Sequence, residues 1–119
     1  MNTNLLGAWG EELAVKYLQK KHYRILTMGY RTRFGEIDII AVNKSYIIFV
    51  EVKLRKNNQY ASACEFVDAR KQMKLRKTAQ LWIAENESAK QPRFDVIEIY
   101  APAGLETKKP EIFHIENAF

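Results

Sequence analysis

The chain has little of what builds secreted, fibrous or membrane-spanning proteins. Its single cysteine, Cys64, has no internal partner, so a disulfide framework is excluded. Three prolines and five glycines in 119 residues are too few for a collagen-like or linker-like chain, and no segment repeats. The longest unbroken apolar run, Tyr46 to Val50, is far short of the roughly 20 residues a spanning helix needs. The opening Met1-Asn2-Thr3-Asn4 lacks the basic and apolar regions of a secretory signal, so a cytoplasmic location is expected. No glycine-rich phosphate loop of the Walker or dinucleotide type is present. His22 and His114 stand far apart, and with one cysteine they outline neither a zinc site nor a Cys–His dyad; both are expected as surface or strand residues.

What is present describes one globular domain spanning residues 1–119. Hydrophobic residues make up 47% and charged residues 28%, and this length supports a single core. The net charge of +5 is unevenly spread. Residues 1–52 carry 7 basic and 5 acidic side chains, 53–77 carry 8 and 2, and 78–119 carry 4 and 7. A basic middle favours an anionic partner through long-range attraction.

Apolar residues Leu6, Trp9, Leu13 and Tyr17 recur at helical steps and predict a first helix from about residue 4 to 21, with Thr3 or Asn4 as its cap. Segments 23–33, 36–42 and 46–54 are dense in Ile, Val, Tyr and Phe and read as a meander of three strands. A second helix is expected over about 63–86, where neither Gly nor Pro occurs and Leu75, Ala79 and Trp82 share a stripe. Residues 94–100 form a fourth strand, 101–104 a loop, and 111–115 a short final strand. The predicted fold is α/β: a central mixed sheet of four or five strands in the order αβββαβ, with helices against its apolar face and a right-handed helical crossover to the fourth strand.

Chemistry concentrates on the hairpin of strands two and three. A tight turn at Lys44-Ser45 places Ile37, Ile39 and Ala41 on one face with Ile48, Val50, Val52 and Leu54. On the other face Val42 lies across from Ile47 and Ile40 across from Phe49; Asp38 then opposes Glu51, and Glu36 opposes Lys53. Opposed like charges destabilise a strand pair, and more so where solvent is excluded. A divalent cation held by oxygen ligands would compensate them, and two carboxylates plus waters are what Mg²⁺ usually takes from a protein. Lys53, on the face of Glu51, would stand beside such a metal and orient a water or meet a phosphate oxygen. The plain alternative is a surface ion-pair cluster of little energetic value. Against it, Glu51 is embedded in Ile47-Ile48-Phe49-Val50-Glu51-Val52-Lys53-Leu54, a pattern of burial on both faces.

Glu11 shares a helical stripe with Gly7, Ala14 and Leu18, so its carboxylate projects from a small-residue face suited to packing on the sheet; a helix-start acid favourable to the dipole is the simpler account. The second helix presents Arg70, Lys74 and Lys77 along one line, with Lys71 nearer the apolar stripe and able to reach the carboxylates. With Arg31, Arg33, Arg55 and Lys56 flanking the acids, the expected picture is a carboxylate pocket rimmed by nucleic-acid-binding cations. Tyr30 and Tyr60 are candidates to stack on an unpaired base, and Asp95 is expected to be structural, paired with Arg93 or a helix.

Gly35-Glu36-Ile37-Asp38-Ile39-Ile40 followed by Phe49-Val50-Glu51-Val52-Lys53-Leu54-Arg55 resembles the D…ExK core of the restriction-endonuclease-like superfamily. More narrowly, the chain resembles the YraN-like family of small bacterial proteins, which are similar to archaeal Holliday junction resolvases. Gly7-Ala8-Trp9-Gly10-Glu11-Glu12-Leu13-Ala14 fits that family's GxxGExxA opening, Arg31 its basic residue before the hairpin, Lys71 its second-helix lysine and Arg93-Phe94-Asp95-Val96 its RFDV-like strand. The chain departs from the family at Gly29, where Asn is frequent, and at Tyr60-Ala61, where Phe-Gly is. The resemblance implies a Mg²⁺- or Mn²⁺-dependent endonuclease for branched or structured DNA. Asp38 and Glu51 would ligate the metal, with Glu11 as a third acid. Lys53 would position the attacking water. Expected partners are DNA, a second copy of the chain, and a protein acting in repair, recombination or uptake. Two other functions suit the same residues: a non-catalytic nucleic-acid-binding module on this scaffold, and an RNA-processing nuclease.

Overall fold

A computed structural model describes residues 4–56 and 67–119. Helix α1 (Asn4–Lys20) precedes β1 (Arg24–Thr32), β2 (Gly35–Val42) and β3 (Tyr46–Arg55); α2 (Ala69–Asn86), β4 (Gln91–Tyr100) and β5 (Glu111–Ile115) follow. The strands form one sheet in the order β1-β2-β3-β4-β5, antiparallel except at β3–β4, the parallel pair whose connection contains α2. The expected α/β architecture is present, and β5 makes the sheet five-stranded. Expectations at Thr3, Tyr60-Ala61 and Cys64, and for a helical start at 63–66, lie outside the described residues. No helix among the described residues is long and apolar enough to cross a membrane.

Each element has a local cause. Asn43 closes the β2–β3 turn: its Oδ1 accepts the Ser45 and Tyr46 N–H groups at 3.0 and 2.8 Å. Asp68 caps α2 by accepting the Lys71 N–H at 2.9 Å, and Glu87, at φ 50°, ends the helix with its N–H on the Ile83 carbonyl. Strand β4 starts three residues earlier than expected, at Gln91. Pro92 pairs with Ile47 but lies outside the Val96–Tyr100 stretch that β5 covers, so its missing N–H interrupts nothing on that side.

The expectation that both helices rest on one apolar face is corrected: each face carries one helix. Phe49, Ile47, Ile40, Val42, Phe94 and Val96 pack with Leu75 and Ala79 of α2. Ile48, Val50, Ile39, Ala41, Ile97 and Ile99 pack with Ala14 and Leu18 of α1. The physical reason is that β3 and β4 are apolar on both sides, as interior strands with a parallel pairing are. Gly10 lets α1 approach closely, since a Cβ there would come within 3.1 Å of Leu54 Cγ. Ile37 breaks the alternation of β2. It belongs with Ile40 and Val42 on the α2 side, not with Ile39 as the hairpin pattern predicts.

Candidate carboxylate–lysine site

That break marks the site. The β2–β3 ladder keeps the expected register from Val42 opposite Ile47 to Ile39 opposite Val50, and the pairing stops there. Beyond it the Asp38 carboxylate, not a strand carbonyl, accepts the Val52 N–H at 2.8 Å. Asp38 and Glu51 are therefore not ladder partners, and neither are Glu36 and Lys53; the β2–β3 pairing ends before it reaches the acids. From α2, Lys71 Nζ donates to Glu51 Oε2 at 2.7 Å, while Lys53 Nζ lies 3.5 Å from the same oxygen.

Electrostatics follows from this crowding. Burial, then the charge of Glu51, raises the Asp38 carboxyl to about 7; the Val52 N–H opposes the rise, and Glu11 and Glu36 add to it. Glu11, half-buried on α1, is raised by burial and then by the charges of Glu36 and Glu51, so it feels the same acidic field from the other layer. The two lysines respond oppositely. Burial lowers Lys53, and its neighbour Lys71 lowers it further against the pull of Glu51. Burial is the largest influence on Lys71 and disfavours its charge, but the hydrogen bond and charge of Glu51, with Lys53 and Asp38, together outweigh it and leave this ammonium raised. The shorter contact explains the division: Lys71 neutralises Glu51, and Lys53 is left the more weakly held proton.

The fold thus gathers Asp38, Glu51 and Lys53 and places Glu11 within their electrostatic reach. Among the described residues no three His, Cys, Asp or Glu side chains form a ready cluster of metal ligands. A pair of carboxylates that resists double ionisation still fits a hard divalent cation, which commonly takes one or two carboxylates and fills its shell with water. Glu36 turns to the rim, 3.4 Å from Arg31.

The basic residues divide. Arg31, Arg33, Lys56, Arg70, Lys74 and Lys77 are exposed. Two of the predicted rim cations are not. Lys71 points inward to Glu51, and Arg55, half-buried, has Nε and Nη2 shielded from solvent, because β3 continues its pairing with β4 to Arg55 opposite Tyr100. Tyr30 packs at the edge of the α2-side core and donates to Glu85 at 2.9 Å, which leaves Thr32, Arg33 and Phe34 as the hairpin tip. Sequence reasoning missed the backbone N–H of Val52, whereas Lys71 reaches the carboxylates as its place beside the apolar stripe predicts. Its position four residues before buried Leu75 was the available signal.

A second polar group lies on the other side of the sheet. Asp95, fully buried, accepts from Arg93 Nε and Nη2 at 2.9 and 2.8 Å and from the Asn117 N–H at 3.0 Å, and meets His114 Nε2 at 2.6 Å. Arg93 also donates to Tyr23 at 2.7 Å. Asp95 pairs with Arg93, as expected; His114 is a strand residue of β5, one of the two places expected for it, and its side chain is buried.

The sequence pattern of the uncharacterised protein family UPF0102 matches residues 10–99. A UPF0102 protein of Alkaliphilus oremlandii is 47% identical over 117 residues, covering 96% of this chain and 97% of its own. One from Caldanaerobacter subterraneus is 45% identical over 121 residues, covering 100% and 98%. Another, from Clostridioides difficile, is 45% identical over 120 residues and covers all of both chains. With the match running through α1, the β2–β3 hairpin, α2 and β4, the chain belongs to the UPF0102 family, the YraN-like family that its motifs resemble.

Proposed function

We propose that this protein is a metal-dependent endonuclease of the restriction-endonuclease-like class that cuts branched or otherwise structured DNA. The observation that carries the reading is the end of the β2–β3 pairing at Asp38, beyond which two mutually repelling carboxylates and a weakly held lysine proton act on one another. Asp38 and Glu51 would hold Mg²⁺ or Mn²⁺, which supplies a water of lowered pKa and offsets charge developing on the phosphate. Asp38 is fixed by Val52, so its free oxygen has a defined direction. Lys53 orients the attacking water and hydrogen-bonds the phosphate oxygen. Lys71 holds the charge of Glu51 until a metal competes for it. Glu11 adds negative charge from α1. Exposed Arg70, Lys74 and Lys77 of α2 attract the DNA backbone to the same side.

A non-catalytic DNA-binding module is the second reading, favoured by one observation: Lys71 already neutralises Glu51 without a metal. Calorimetric titration of Mn²⁺ into wild type and Asp38→Asn, beside cleavage of a labelled four-way junction, separates the two. Metal binding and cleavage by wild type alone support the nuclease. Junction binding with no metal uptake by either protein supports the module. In the nuclease, Lys53→Ala abolishes cleavage and leaves junction affinity within about threefold, since one screened cation contributes little to binding.

A further inference from the structure

The tip of the β1–β2 hairpin lies beside the basic line of α2 and is held there. Thr32 Oγ1 accepts the Phe34 N–H at 3.0 Å and lies 3.4 Å from Thr78 Oγ1, a fully buried hydroxyl of α2. Gly35 sits so close that a Cβ would come 3.6 Å from Thr78 Oγ1 and 3.8 Å from Lys74 Cβ. On this anchored tip Phe34 is half-buried, with the Arg33 guanidinium 4.9 Å and the Lys77 ammonium 5.4 Å from its ring centroid. An aromatic ring flanked by exposed cations, on a hairpin tip that contacts α2, is the composition of a base-stacking platform. From Lys77 the line runs through Lys74 to Arg70 and to Lys71, which bonds Glu51. A cavity of about 320 Å³ lined by Glu36, Arg70, Lys71 and Lys74 bridges the last step. Six residues of helix separate Lys77 from Lys71, about 9 Å.

We propose that Phe34, with Arg33 and Lys77, is a stacking site for one unpaired base of the DNA, on the strand that runs along α2 toward the carboxylate site. The inference rests on the nuclease reading for its ligand and supplies that reading with a source of preference for branched over intact duplex. The base lies on the ring, and Arg33 and Lys77 turn from the ring to its flanking phosphates.

The test is made in EDTA, so that it is independent of metal uptake and cleavage. Probes are an intact duplex and a gapped duplex with 2-aminopurine in the gap. Wild type quenches the 2-aminopurine and binds the gapped duplex more tightly. Phe34→Leu loses the quenching and about 5- to 100-fold in gapped-duplex affinity, while intact-duplex affinity stays within twofold. Phe34→Trp restores both, and its own fluorescence shifts with gapped but not intact duplex, which reads the platform even if the leucine variant folds poorly. Undiminished quenching and affinity in Phe34→Leu, or an equal loss on both duplexes, overturns the platform. Failure of wild type to take up Mn²⁺ or cut leaves this result standing and removes only the nuclease.

Discussion

At the scale of single residues, the site is a contest between carboxylates and lysines for charge. Asp38 is raised to about 7 from an unfolded value near 3.8, so in the metal-free protein the folded state holds its proton more tightly than the unfolded state does. The unfolded chain therefore releases this proton first, and stability declines between about pH 4 and 7, then levels off. Asp38→Asn keeps an oxygen for the Val52 N–H and removes the buried charge. In EDTA at pH 8 it should be more stable than wild type by about 1–3 kcal/mol by urea unfolding, less than the full shift because solvent still reaches part of the group. An Asn variant no more stable than wild type at pH 8 contradicts the burial of this charge. Lys71 competes with any cation for Glu51. Lys71→Met should raise Mn²⁺ affinity roughly 3- to 10-fold, the equivalent of about 1 kcal/mol for a partly exposed ion pair. Calorimetry checks this, and weaker binding would show that Lys71 positions Glu51 more than it blocks it.

Among elements, the approach of α1 to β3 sets where Glu11 can stand. Gly10 faces Leu54 with no room for a branched side chain. Gly10→Ala gains about 1 kcal/mol of helix propensity against a small displacement of Leu54, and should be nearly neutral. Gly10→Val adds two methyl groups that Leu54 and the strand beneath must accommodate, and should cost about 2–3 kcal/mol by urea unfolding. A neutral Val variant would mean that α1 does not seat against the sheet as described. Gly29, where relatives by resemblance carry Asn, has φ 64° and a Cβ position 3.6 Å from Glu36 Oε2. Asn is the side chain that best tolerates this left-handed backbone after Gly, so the departure preserves the conformation. The helix α2 joins two tasks: Leu75, Thr78 and Ala79 bury one side, and Lys71 reaches round its edge to Glu51.

For the whole molecule, stability depends on the polar group around Asp95, which joins Tyr23 after α1, Arg93 on β4, His114 on β5 and Asn117 near the C-terminus. Burial works against charge on Asp95, but the His114, Arg93 and Asn117 contacts outweigh it and lower its pKa. Its contribution is present above the unfolded carboxylate value and is lost as pH falls through the folded one. Asp38 gives a slope of the opposite sign above pH 4. Metal-free wild type should accordingly be most stable near pH 4 in a series of thermal melts, and Asp38→Asn should convert that maximum into a plateau toward neutral pH. Asp95→Asn leaves the Arg93 guanidinium buried without its counter-charge and should cost about 3–5 kcal/mol, with Mn²⁺ affinity unchanged wherever the variant remains folded. A mild effect would place the weight of this group on Glu116, 3.7 Å from Arg93.

The α/β class, the meander, the Lys44-Ser45 turn and the first four steps of the β2–β3 register follow from period-two apolar alternation and turn chemistry, which are local. So does the candidacy of Asp38, Glu51 and Lys53, since charges inside an otherwise apolar strand need a reason. Three things did not follow, because each depends on segments far apart in the chain. Alternation continued to residue 36 predicts Asp38 facing Glu51; only the closed sheet shows that the ladder ends at Ile39 and that Asp38 bonds the Val52 backbone. Apolar strands indicate burial but not by which helix, so the placement of α1 and α2 on opposite faces was decided in three dimensions. The partners of Arg55, Tyr30 and His114 likewise depend on which side chain occupies the space opposite. Sequence by itself determined the elements and the charges; tertiary structure decided which charges share a desolvated site, because the strength of that interaction comes from burial and proximity, and neither is a property of one segment alone.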